Sequence, residues 1–310
     1  MDPLIRVQQV HTPKVQVLTR KPLYDSEGRP LGAASGIGAK GDFLAILPDN
    51  AYVLVCVRWP SLESVLCPLR PNAPFHEIPK AAKPDWEALT WGPNGELLFF
   101  GSGSRPTRRN IGVAYFDPPQ VTLAHLAEAP ELYALLQDAL GPTVELNIEG
   151  VIWRAQERAW WFFQRGSKQA PSALLRCKVP EEVDPIVGLF SPPKFTLSIA
   201  VSWYDLGEIA GVPLAFTDAV EWQGQVFYTA TAEDTPNAYE DGPVLGSAIG
   251  WIDAQGQPYY TVLQDEQGAP LPLKVEGIAP QEQAEKTFFL VTDSDRAGEP
   301  AQLLRVQLVF

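Results

Sequence analysis

Five segments of the chain repeat one pattern, and that pattern constrains the fold more than any single motif. They are ASGIGAKGDFLAIL from Ala34, WEALTWGPNGELLFFGSGS from Trp86, IEGVIWRAQERAWWFFQRG from Ile148, TDAVEWQGQVFYTATAED from Thr217 and VEGIAPQEQAEKTFFLVTDSD from Val275. Each places a polar or acidic residue before a Gly or Ala and then an apolar residue. The leading positions are Ser35, Glu87, Glu149, Asp218 and Glu276, separated by 52, 62, 69 and 58 residues. Three segments carry a tryptophan four positions later, at Trp91, Trp153 and Trp222. A turn follows, then an apolar run such as Leu97–Phe100 or Phe288–Val291, then a polar loop.

Two apolar runs joined by a tight turn read as a β-hairpin, and the aromatic and β-branched content favours strand over helix. Further strands are predicted at Ile111–Phe116, Ala173–Lys178, Ala248–Asp253 and Leu303–Val309. About four short strands in roughly sixty residues is the signature of a propeller blade. The prediction is an all-β chain, one β-propeller domain over residues 1–310, with five blades. A sixth, degenerate blade around Phe190–Ile209 stays open. The opening VQQVHTPKVQVLT is expected to complete the last blade from its outer side, which protects sheet edges. Thirty prolines and twenty-four glycines suit so many turns. One segment departs from the pattern: Leu132, Leu135, Leu136 and Leu140 recur at helical spacing, with Pro130 at the start and Gly141 after the end, predicting one helical insertion. It is either a packing insert or a partial lid over the channel.

The net charge of −13 argues against a nucleic-acid partner. No run of eighteen apolar residues is present, so no membrane partner is expected, and the N-terminal segment lacks a signal-peptide core. Cys56, Cys67 and Cys177 have no metal-ligand spacing and read as buried thiols of a reducing compartment, so a cytoplasmic location is expected.

Inner propeller strands line the axis, so the repeat brings Ser35, Glu87, Glu149, Asp218 and Glu276 to one channel mouth. Carboxylates crowded there raise one another's pKa or bind a cation. Oxygen ligands without nearby His or Cys point to a hard ion, Ca²⁺ first and Mg²⁺ second, held by Glu87, Glu149, Asp218 and Glu276. Alternatively these acids accept backbone N–H bonds and only hold the blades in register. The Gly/Ser loop Gly101–Arg109 carries Arg105, Arg108 and Arg109, and comparable loops carry Arg165, Lys168 and Arg296. This set suits a small anionic ligand or pairs with the acidic ring. His11, His76 and His125 lie outside the repeated positions, and the Trp residues read as core between blades.

The motifs LNIEG (Leu146–Gly150), LLFFGSGSRPTRR (Leu97–Arg109), TATAEDT (Thr229–Thr235) and KVEGIA (Lys274–Ala279) resemble a group of uncharacterised bacterial propellers. These are distantly similar to the esterase-like phytase propellers and, more loosely, to calcium-dependent lactonase propellers. The resemblance implies a propeller with a metal at the channel mouth. Glu149 and Glu276 match its Glu-Gly pattern, whereas Ser35 and Asp218 depart from it. Two functions follow: a divalent-metal-dependent hydrolase of a small phosphoester or lactone, with Glu233, Asp234, Asp293 or Asp295 as base, or a non-catalytic propeller that binds a ligand or partner protein.

Overall fold

Pairs of consecutive aromatic residues set the layering of the molecule. Phe99–Phe100, Phe162–Phe163, Phe227–Tyr228 and Phe288–Phe289 each lie within one strand, and the pleat sends neighbours to opposite faces of a sheet. All eight side chains are buried, so each of these sheets must be covered on both faces. In the computed structural model, which describes residues 4–70, 78–79, 82–167, 170–192, 197–235, 242–253, 255–296 and 298–309, a ring of five sheets meets that demand.

Blade 1 is built from Ala34–Lys40, Phe43–Pro48, Val53–Arg58 and Ser64–Pro68. Blade 2 uses Trp86–Trp91, Leu97–Gly101, Asn110–Asp117 and Gln120–Glu128. Blade 3 uses Ile148–Arg154, Ala159–Gln164, Ser172–Lys178 and Ser198–Asp205. Blade 4 uses Val212–Trp222, Gln225–Glu233, Val244–Ile252 and Pro258–Val262, with a two-residue strand Glu208–Ile209 on its inner edge. Blade 5 uses Lys274–Pro280, Thr287–Asp293 and Gln302–Val309, completed by Lys14–Pro22. The first strands adjoin one another in cyclic order around the axis. No sixth blade forms: Ser198–Asp205 is the outer strand of blade 3.

Five apolar clusters fill the five gaps between neighbouring blades. Phe162 faces blade 2 and Phe163 faces blade 4; Phe288 faces blade 4 and Phe289 faces blade 1. Trp222 meets Phe288 of the next blade at 5.9 Å between ring centroids, while Trp91 and Trp153 pack on Phe116 and Trp160 of their own blades.

The N-terminal segment closes blade 5 in antiparallel register, as the sequence suggests. Before doing so it adds two short parallel strands that the repeat does not foretell, Ile5–Arg6 on the outer edge of blade 3 and Gln8–Gln9 on that of blade 4. The chain thereby crosses three sheet edges in succession and covers them. The predicted helix spans Pro130–Leu140 and buries Leu132, Tyr133, Leu136 and Leu140 between blades 2 and 3. Tyr133 Oη donates to Gly101 O at 2.7 Å. It is a packing insert. A second helix, Pro185–Phe190, starts at an Asp184 cap that accepts from the amides of Ile186 and Val187. Six residues are too few to show a 3.6-residue period.

Inner strands approach most closely at Gly150, where a Cβ would lie 2.8 Å from Ala219 N of blade 4. Neither strand can retreat without opening the ring. Gly150→Ala should therefore lower stability by about 1–3 kcal/mol, measured by denaturant unfolding; an unchanged midpoint would show that the gap can widen freely.

Candidate functional site

Every inner strand holds one residue more than its partner at the same place. The ladder skips Ser35, Glu87, Glu149, Thr217 and Glu276 in blades 1 to 5. A β-bulge leaves its extra residue unpaired and re-aims the side chain. In blades 1, 2, 3 and 5 these are the residues singled out by the repeat. In blade 4 the bulged residue is Thr217, and Asp218 stands one step further on, level with Gly36, Ala88, Gly150 and Gly277.

That step changes what Asp218 does. Its Oδ1 accepts from Ala219 N at 2.7 Å and its Oδ2 from Ile278 N of blade 5 at 2.9 Å. The side chain is fully buried and fastens one blade to the next. Thr217 donates to Thr229 Oγ1 at 3.0 Å, and the Ser35 hydroxyl lies 3.4 Å from Ala33 O. Losing two acceptors should make Asp218→Ala cost about 1–3 kcal/mol in thermal or denaturant unfolding. Full stability would dismiss the fastening.

Glu87, Glu149 and Glu276, from three different blades, bring carboxylate oxygens within 4.8 Å of one another. Glu149 Oε1 accepts from Asn147 Nδ2 at 2.6 Å and lies 3.3 Å from Arg165. Glu276 Oε1 lies 3.3 Å from Lys274 Nζ, yet it is buried with no hydrogen-bond partner. Arg165 also binds Glu233 at 2.6 Å, and Lys274 reaches Asp295 at 2.9 Å and Glu233 at 3.8 Å. A second set, Asp49, Asp85 and Glu87, converges to the same spacing and shares Glu87. Here Lys83 pairs with Asp49 and, at 3.0 Å, with Asp85, which Arg108 also contacts at 2.8 Å.

Among the described residues, the network joins eight carboxylates (Asp49, Asp85, Glu87, Glu149, Glu233, Glu276, Asp293, Asp295) to four cations (Lys83, Arg108, Arg165, Lys274), a formal excess of four negative charges. Burial pushes Glu276 up to about 8, with Glu149 adding to the rise against Lys274 and Arg165. Burial likewise carries Asp49 to about 7, opposed by Lys83 and aided by Asp293. Glu87 is raised by burial and then by Asp85, Glu149 and Asp49; Glu149 and Asp293 are raised chiefly by burial. The acids outweigh burial at Lys83, Arg165 and Lys274, which are held above their ordinary values. These shifts all favour the protonated forms of the acids. A raised acid binds its proton more tightly folded than unfolded, so stability is present at low pH and lost as pH rises. The thermal midpoint of metal-stripped protein should fall between about pH 5 and 8, the window set by Asp49 and Glu276; a midpoint rising across that window would contradict the site's charge balance.

The basic residues disperse. Arg108 is committed to Asp85 and Ser104, and Arg165 to the acid ring. Arg109 Nε donates to Gly103 O at 3.4 Å. Arg105 is exposed in the field of Glu145. Arg296 is 74% exposed and pairs with Glu299. Lys168 and His76 lie outside the described residues. Sequence reasoning missed Asp49, Lys83, Asp85 and Lys274. Lys83, Asp85 and Glu87 stand two residues apart, as do Lys274 with Glu276 and Asn147 with Glu149, but the spacing alone is no strand signal, because Asp85 takes a positive φ of 58° and breaks the extended backbone.

A family model matches residues 30–308, through all five blades. The chain belongs to DUF6929, a family of unknown function. Comparison with curated proteins returns no match. Among solved structures, a GH43 β-1,3-galactosidase aligns with a TM-score of 0.51 at 10% identity, covering 95% of this chain and 63% of that one. Myxococcus xanthus glutaminyl cyclase aligns at 0.48 and 10%, covering 99% and 100%. A luciferin-regenerating enzyme aligns at 0.48 and 12%, covering 96% and 97%. At 10% identity the likeness between this chain and the galactosidase is one of fold. Among the described residues, no helix is long and apolar enough to cross a membrane.

Proposed function

We propose that the channel mouth of this DUF6929 chain binds a divalent cation, Ca²⁺ before Mg²⁺, between Glu87, Glu149 and Glu276, and hydrolyses a small phosphoester or lactone there. The observation that carries the reading is the convergence of three carboxylates from three blades, one with a buried oxygen that nothing donates to. Two oxygens on opposite sides of a calcium at roughly 2.4 Å are about 4.8 Å apart, so the observed spacing fits one coordination shell. The donors are all oxygen, which suits a hard ion. Asp218 stays outside this set because its oxygens serve backbone amides.

When bound, such an ion would polarise an ester or phosphoryl oxygen and lower the pKa of a coordinated water. The protein's own groups supply the frame. Arg165 with Asn147 fixes Glu149, and Lys274 flanks Glu276. Glu233 is spent on Arg165, Lys274 and Gly242 N. Asp295 is held by Lys274, so Asp293, raised by its burial, is the group to take a proton. Arg105 and Arg109, on the Gly101–Arg109 loop, would meet the anionic part of a substrate.

The test is a thermal-shift series on metal-stripped protein with Ca²⁺ and Mg²⁺, beside a screen of aryl phosphoesters and small lactones. At a hundredfold excess over Kd, Ca²⁺ should stabilise by about 2.7 kcal/mol, a rise on the order of 5 °C. Glu149→Gln should abolish that shift and cut turnover on the order of 100-fold. A stable Glu149→Gln protein with unchanged turnover would remove Glu149 from the site. No shift with either ion would leave the acids as blade-closing structure and favour a non-catalytic binding propeller.

A further inference from the structure

We propose that the mouth takes one divalent ion rather than two, because the Lys83 ammonium occupies the place of the second. This rests on the cation-binding reading above and adds the stoichiometry and the residue that sets it. The two groups of three carboxylates share Glu87, as a carboxylate-bridged pair of ions requires, and paired ions in hydrolytic sites sit roughly 3.5–4 Å apart. The groups differ in what lies inside them. Within Asp49, Asp85 and Glu87, Lys83 Nζ bonds Asp49 Oδ2 and lies 3.0 Å from Asp85 Oδ1. Beside Glu87, Glu149 and Glu276, Arg165 bonds Glu149 Oε1 at 3.3 Å, and Lys274 Nζ lies 3.3 Å from Glu276 Oε1 without bonding it. Both are divided among other acids, and Glu276 Oε1 is left without a donor.

An ammonium is a compact point charge with three donors. It can sit among three carboxylates much as a small cation does. Arg108, bonded to Asp85 from the other side, cannot, because its planar fork is also tied to Ser104. Lys83 arrives on the same lead-in that delivers Asp85 and Glu87, so the surrogate ion, its partner Asp85 and the shared Glu87 come from one five-residue stretch. Its side chain is 14% exposed. The consequence is asymmetry. One position is filled by a charge that cannot exchange or activate water; the other can do both.

Mn²⁺ stoichiometry on the full chain, by equilibrium dialysis with EPR, tests this. Wild type should bind one ion with an uncoupled signal. Lys83→Met should bind two, giving a spin-coupled spectrum through the Glu87 bridge. Lys83→Arg, which keeps the charge, should still bind one. If Lys83→Met does not fold without metal, Lys83→Gln keeps a donor for Asp49 and is expected to bind two. Two ions in wild type, or one in a folded neutral variant, overturns the proposal while leaving the cation site standing. No ion in wild type overturns both.

Discussion

The extra residue in each inner strand is the constraint from which the site follows. Five strands converging on one axis have little room, and the position after the bulge meets the backbone of the next blade. Gly36, Gly150 and Gly277 occupy it because a Cβ there would press on the neighbouring strand. The bulged residue is released from that packing and from the ladder, so it can carry a long polar side chain to the mouth. In blades 3 and 5 ring closure and the acidic cluster are thus one arrangement: the crowding that favours Gly150 and Gly277 stands beside the glutamate that the bulge frees.

Concentrating buried charge in this way is costly for a fold, since isolated buried ions lose several kcal/mol of hydration. The molecule limits the loss by threading Lys83, Arg108, Arg165 and Lys274 among the acids, with each cation except Arg108 shared by several carboxylates. The compensation is incomplete, and the deficit sits on the glutamates of blades 2, 3 and 5. The bulged positions of blades 1 and 4 carry hydroxyls, Ser35 and Thr217, and these blades reach the network through Asp49 and Glu233 instead.

Much of this could be read from the chain because the repeat is short and its aromatic pairs are strong strand signals. The blades, their order and the closing strand follow from them, as do Glu87, Glu149 and Glu276. Asp218 shows where such reading stops. An acid before an alanine matches the repeat by composition, but the ladder in blade 4 skips Thr217, and a one-residue slip turns a side chain to another face. Register is fixed by pairing that no single sequence displays. The cations were hidden for a different reason: Lys83 and Lys274 precede their repeats, where no periodicity draws attention. Two-residue strands such as Ile5–Arg6 and Gln8–Gln9 have no pattern at all.

The N-terminal crossing of three blade edges also bears on how the ring is made. Lys14–Pro22 has no sheet to join until Gln302–Val309 exists, nearly the whole chain later. Ile5–Arg6 and Gln8–Gln9 must wait for blades 3 and 4. During synthesis the earliest segment is therefore the last to find its partners, and contacts of such long sequence separation are slow to form. Blades 1 to 4 can assemble in order behind it as an open arc. The final step then acts as a clasp, and the full set of carboxylates meets only when the clasp is shut.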